Sequence, residues 1–119
     1  MVIDVMSKLD ELTDRQVKQS GGAARVENEL PYLTPKSIKF MDDNIEESHK
    51  VLEFGSGAST IFFARRSKKV ISFESGGHVE DIEKAIKWYN IVTDKIKRED
   101  ITNVELYLIQ GLPDTRRIY

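Results

Sequence analysis

The sequence predicts an α/β fold, a three-layer sandwich of parallel strands between helices, with further helices ahead of the first strand. Two observations carry that reading. Short runs rich in Val, Ile and Phe at Val51–Phe54, Lys69–Glu74 and Val104–Ile109 alternate with amphipathic stretches of helical period. The first run also breaks directly into Gly55-Ser56-Gly57 and then into helix-compatible residues, the pattern of a strand, a tight turn and a helix N-terminus. Strand, helix, strand, helix, strand in that order implies parallel pairing through right-handed crossovers. Ligands of such sheets sit beyond the carboxyl ends of the strands.

Taken in order, Val2, Val5, Met6, Leu9 and Leu12 fall at helical spacing and predict a first amphipathic helix over 2–18. Gly21-Gly22 interrupts the pattern, and 19–33 reads as a linker. Thr34-Pro35 is a helix start, since threonine caps and proline suits the first helical position. Ile38, Met41 and Ile45 give that helix one apolar stripe, running to about Ser48. After the first strand, Thr60–Ser67 predicts a short helix with Ile61, Phe62, Phe63 and Ala64 largely buried. Ser75-Gly76-Gly77 follows the second strand as a loop, and Val79, Ile82, Ala85, Ile86 and Tyr89 mark a helix extending toward Ile96. The chain divides at this level into an N-terminal helix and linker, 1–33, and a partial ligand-binding domain, 34–119.

With 119 residues the chain suffices for one small core. A hydrophobic fraction of 39% and a formal net charge of -2 describe an ordinary globular chain and give no electrostatic case for nucleic acid. The basic pairs Arg65-Arg66, Lys68-Lys69 and Arg116-Arg117 read as solvated surface. The absence of cysteine excludes disulfides, thiolate metal sites and a cysteine nucleophile, and no paired histidine spacing suggests a metal. With neither an apolar run of about 18 residues nor a signal-peptide pattern, a cytoplasmic location and no membrane partner are expected.

The Gly55–Thr60 turn, Glu74 at the end of the second strand and Ile109–Gly111 after the third converge on one edge of the sheet. A Gly-x-Gly alone is compatible with a ligand-free turn. Glu74 strengthens it: it lies 19 positions after Gly55, near the spacing at which a carboxylate meets ribose hydroxyls in dinucleotide folds. Glu53 separates two ligand classes. It places a carboxylate inside a strand expected to be buried on both faces, where a charge needs a partner. That partner is a ligand ammonium group, or a backbone N–H or lysine of the chain itself. Thr60 stands where a dinucleotide fingerprint carries its third glycine, which weakens the nicotinamide reading.

Glu53-Phe54-Gly55-Ser56-Gly57 resembles motif I of the class I S-adenosylmethionine-dependent methyltransferases. Val70–Glu74 resembles that family's second strand with its terminal acidic residue, and Val104–Gly111 its third strand and adenine-side turn. Gly-Ala-Ser-Thr at 57–60 and Ser72-Phe73-Glu74 resemble the small-molecule O-methyltransferase-like branch. The resemblance spans roughly 34–111 and implies a Rossmann-like fold with S-adenosylmethionine as cofactor. It implies that Gly55, Ser56 and Gly57 line the methionine moiety, that Glu53 holds its amino group and that Glu74 binds the ribose hydroxyls. Ser75 is then beside the ribose or adenine, and Ile109 or Gln110 beside the adenine. Gln110 departs from the acidic residue common there, although an amide still bonds an adenine amino group.

The family's sheet continues beyond a third strand, and this chain is expected to stop there, leaving an open edge beside that strand. A fragment, a natural short chain completed by a partner or by itself in an oligomer, and a degenerate remnant are the readings of this. Neither His49, at a predicted helix end, nor His78, after Gly76-Gly77, is assigned a catalytic role, and Ser59 and Thr60 are read as caps. The expected function is therefore an S-adenosylmethionine-dependent methyltransferase or its cofactor-binding portion, with an unidentified methyl acceptor. The alternatives are a fragment of an NAD-dependent oxidoreductase and a non-catalytic interaction module.

Overall fold

The structure is a computed structural model and describes residues 4–12, 21–75 and 82–109. In chain order the elements are α1 (Val5–Glu11), α2 (Gly22–Glu27), α3 (Pro35–Asn44), β1 (Lys50–Phe54), α4 (Ala58–Ala64), β2 (Lys69–Ser75), α5 (Ile82–Arg98) and β3 (Val104–Ile109). The three strands form one parallel sheet in the order β1-β2-β3, an α/β Rossmann-like arrangement. The register pairs Glu53 with Ser72, and Glu74 and Ser75 with Leu108 and Ile109.

Local chemistry sets the helix ends. Asp4 caps α1 by accepting hydrogen bonds from the Met6 and Ser7 N–H groups, and Thr34 caps α3 by accepting from Ser37 N–H, with Pro35 at the first helical position. The third helix stops at Asn44, short of the expected Ser48, because the chain is already extended at Ile45. His49 then closes a turn outside the helix: its Nδ1 accepts from the Glu46 N–H at 3.1 Å. The larger departure is α2, a helix inside the stretch expected to be a linker. Its Val26 is fully buried, and Gly22 admits the Trp88 ring, which would stand 2.9 Å from a Cβ at that position.

Right-handed crossovers between consecutive strands laid side by side put both connecting helices on the same face of the sheet. The core follows from this. Val51, Val70 and Val104 point to the helices and pack with Val5, Leu30, Ile38, Phe62 and Phe63, while Leu106 packs with Val26, Ala58, Trp88 and Val92. The alternate residues point away, and Leu52 and Phe54 remain 60% and 82% exposed. The expectation that β1 is buried on both faces is therefore corrected: among the described residues only one face carries helices. Among the described residues β3 has the open edge expected beside it, and β1 forms a second edge, with β2 central.

A charged cluster fastens the end of α2 to α4 and α5. Glu29, fully buried, accepts from Arg65 Nε at 2.9 Å and lies 3.5 Å from Lys95 Nζ. Lys95, also buried, donates to the Glu27 carbonyl and to Glu99, each at 3.1 Å. That hydrogen bond is the first cause holding the Glu99 carboxyl down at about 2. Asn103 donates to the Ala64 and Ser67 carbonyls and so ties the start of β3 to the end of α4.

Candidate functional site

The turn between β1 and α4 begins as a continuation of the sheet, with Gly55 N–H donating to the Phe73 carbonyl at 2.7 Å. Gly55 then adopts a φ of 93°, a conformation open to glycine and strained for other residues. Each end of the turn is held by a carboxylate from a neighbouring strand. Ser56 N–H and Ser56 Oγ both donate to Glu74 Oε2, at 2.7 and 2.8 Å. Ser59 Oγ donates to Glu53 Oε2 at 2.9 Å, and Thr60 Oγ1 donates to Glu53 Oε1. Thr60 Oγ1 also accepts the Gly57 N–H at 3.0 Å, so a helix-start donor is satisfied from inside the helix.

Glu53, Ser72 and Glu74 share the helix-covered face because they alternate with Leu52, Phe54, Ile71 and Phe73 along β1 and β2. Burial pushes the Glu53 carboxyl above its ordinary range. The hydroxyls of Thr60 and Ser59, which bond it, and of Ser72 nearby oppose the shift, and the nearby Glu74 charge adds to it. The Ser72 hydroxyl faces Glu53 across the register; it is fully buried and has no partner in good hydrogen-bond geometry.

Beside the turn lies a cleft of about 200 Å³, walled by Gly22, Arg25, Tyr32, Ser56, Ser59 and Trp88. Trp88 Nε1 donates to the Ser56 carbonyl at 2.7 Å, and its ring lies 3.0 Å from where a Cβ on Gly57 would stand. Gly57 therefore makes room for an indole of the chain itself. On the far wall the Arg25 guanidinium stacks 4.5 Å from the Tyr32 ring centroid and donates to the Pro31 carbonyl at 2.8 Å.

The structure thus brings Glu53, Gly55, Ser56, Gly57 and Glu74 into one hydrogen-bonded unit. Ser75 and Ile109 lie paired at the carboxyl ends of β2 and β3, and the strand alternation places both on the open face, away from the two carboxylates. Gln110, Gly111 and His78 lie outside the described residues. His49 is at the amino end of β1, the end remote from the turn. Sequence reasoning missed Trp88, Arg25 and Tyr32. Trp88 had one available signal: with Ala85 and Val92 it falls on a single helical stripe pointing into the core.

No protein-family model and no curated protein matches the chain. Among solved structures it is similar to the YcgJ protein from Bacillus subtilis, at 17% identity and a TM-score of 0.46. The match covers 66% of this chain and spans about a third, 32%, of that one. Among the described residues no helix is long and apolar enough to cross a membrane, and no group of acidic residues and histidines is arranged to hold a metal ion.

Proposed function

We propose that the chain is the cofactor-binding portion of an S-adenosylmethionine-dependent methyltransferase. The observation that carries the reading is the pairing of two carboxylates, Glu53 and Glu74, on adjacent strand ends around a glycine turn. Glu53 shapes the turn from β1 and Glu74 presents its carboxylate at the end of β2, an arrangement that suits a ligand with ribose hydroxyls and a cationic group. The residues fit the cofactor at two points. Glu74 uses Oε2 for Ser56, and its Oε1 accepts no hydrogen bond from the described residues, leaving an acceptor for a ribose hydroxyl. Trp88 and Tyr32 give the adjoining cleft aromatic surface for the ligand to pack against, beside the Arg25 guanidinium that stacks on Tyr32. Bound S-adenosylmethionine supplies the electrophilic methyl group. The chain's own contribution is to bind and orient it through Gly55–Gly57 and Glu74, with Ser75, Ile109 and Gln110 proposed on the adenine side. The small-molecule O-methyltransferase-like branch is the finer form of this proposal.

Calorimetric titration with S-adenosylhomocysteine tests it. Saturable binding is expected, and Glu74→Ala is expected to weaken it by about 1–3 kcal/mol through the lost charge-assisted hydrogen bonds. No heat at high ligand concentration rejects the reading, and preferential thermal stabilisation by NAD would favour a nicotinamide site. A second reading, a non-catalytic module that associates with a second copy, is favoured by one observation: Leu52, Phe54, Tyr107 and Ile109 are exposed together on the face of the sheet that, among the described residues, carries no helix.

A further inference from the structure

We propose that Glu53 is a positioning residue: through the Thr60 hydroxyl it holds the Gly57 N–H, through the Ser59 hydroxyl it holds the first turn of α4, and it does not itself bond the ligand. For its functional consequence this rests on the cofactor reading above.

Both Glu53 oxygens are already engaged, Oε1 by Thr60 and Oε2 by Ser59. A threonine hydroxyl has one proton. Because Thr60 Oγ1 accepts from Gly57 N–H, that proton is directed to Glu53. An acceptor at position 53 therefore fixes the orientation of Thr60, and Thr60 fixes the Gly57 amide. The relay runs from β1 into α4 and back to the turn, while Glu74 independently holds Ser56 from β2. The groups that face Glu53 are the hydroxyls of Ser59, Thr60 and Ser72 and the carboxylate of Glu74. No described cation stands against it, so its order comes from hydroxyl donors of the chain. A turn fixed in this way meets a ligand already shaped, and ordering cost is removed from binding.

The relay and direct contact predict opposite rankings of variants. If Glu53 works through Thr60, Thr60→Val weakens S-adenosylhomocysteine binding about tenfold, the loss expected for one hydrogen bond. Thr60→Ser then restores affinity to within about threefold of the parent, and Glu53→Gln, which keeps the acceptor oxygen, loses no more than that. If Glu53 instead grips the ligand ammonium, Glu53→Gln loses at least tenfold and Thr60→Val is the milder change; that result overturns the proposal. Amide hydrogen exchange gives a readout without ligand: Gly57 exchange is expected to quicken about tenfold in Thr60→Val and to hold in Thr60→Ser. Unchanged Gly57 exchange in Thr60→Val also overturns it. Should Thr60→Val not fold, Glu53→Gln against Glu53→Ala decides, the relay requiring loss in Ala and retention in Gln. Absence of binding by the parent chain rejects the cofactor reading, and the exchange experiment still decides the relay.

Discussion

At Glu53, burial and function pull in opposite directions. Its carboxyl is shifted upward because the folded protein removes it from water, and the hydroxyls around it only partly offset that cost. A carboxylate whose folded pKa lies above its unfolded value holds its proton more tightly in the native state. The associated stability is complete below the ordinary value of 4.5 and is lost as pH rises through the folded pKa. Glu53→Gln is therefore expected to raise Tm at pH 7 and to do so less at pH 4, measured by thermal unfolding at both. A constant shift would mean that the hydroxyl bonds balance desolvation, and a negative one that they outweigh it. Glu53 was legible as unusual because a charge inside an apolar strand run stands out in sequence. Its partners were not: Ser59 and Thr60 read as ordinary caps, and only the folded turn shows that their hydroxyls point back to β1.

Among the elements, strands and turn were legible for local reasons. The β-branched and aromatic runs, and the glycine required at position 55 by its positive φ, are properties of neighbouring residues. The helix at Gly22–Glu27 was not, because six residues that open on glycine carry too little periodicity and the helix owes its place to packing against Trp88 and to the Glu29 cluster. That cluster makes a measurable claim. Glu29→Ala leaves Arg65 and the buried Lys95 without their shared carboxylate, and is expected to destabilise the fold by about 3–5 kcal/mol in chemical denaturation. A loss under about 1 kcal/mol would show that Glu99 and the Glu27 carbonyl suffice for Lys95.

For the molecule as a whole, the fold class was legible from element order, but the layering was not. Parallel strands are usually covered on both faces, so Leu52 and Phe54 were expected inside. The 1-2-3 strand order sends both crossover helices to one side and, among the described residues, leaves the other to Phe54, Phe73 and Tyr107, whose rings stack at 5.9 and 5.5 Å across the three strands. If this face joins two copies, sedimentation velocity shows concentration-dependent association, and Phe54→Lys abolishes it. At a site 82% exposed the same change is expected to alter stability by less than about 0.5 kcal/mol. Sedimentation of the parent as a monomer at all concentrations removes the second functional reading.

The chain has a single tryptophan, and its indole N–H is bonded to the Ser56 carbonyl while its ring lies against Gly57. The protein therefore carries its own optical reporter at the loop that matters most. Emission wavelength and quenching by iodide or acrylamide read the state of that loop directly, with no label and no background from a second indole.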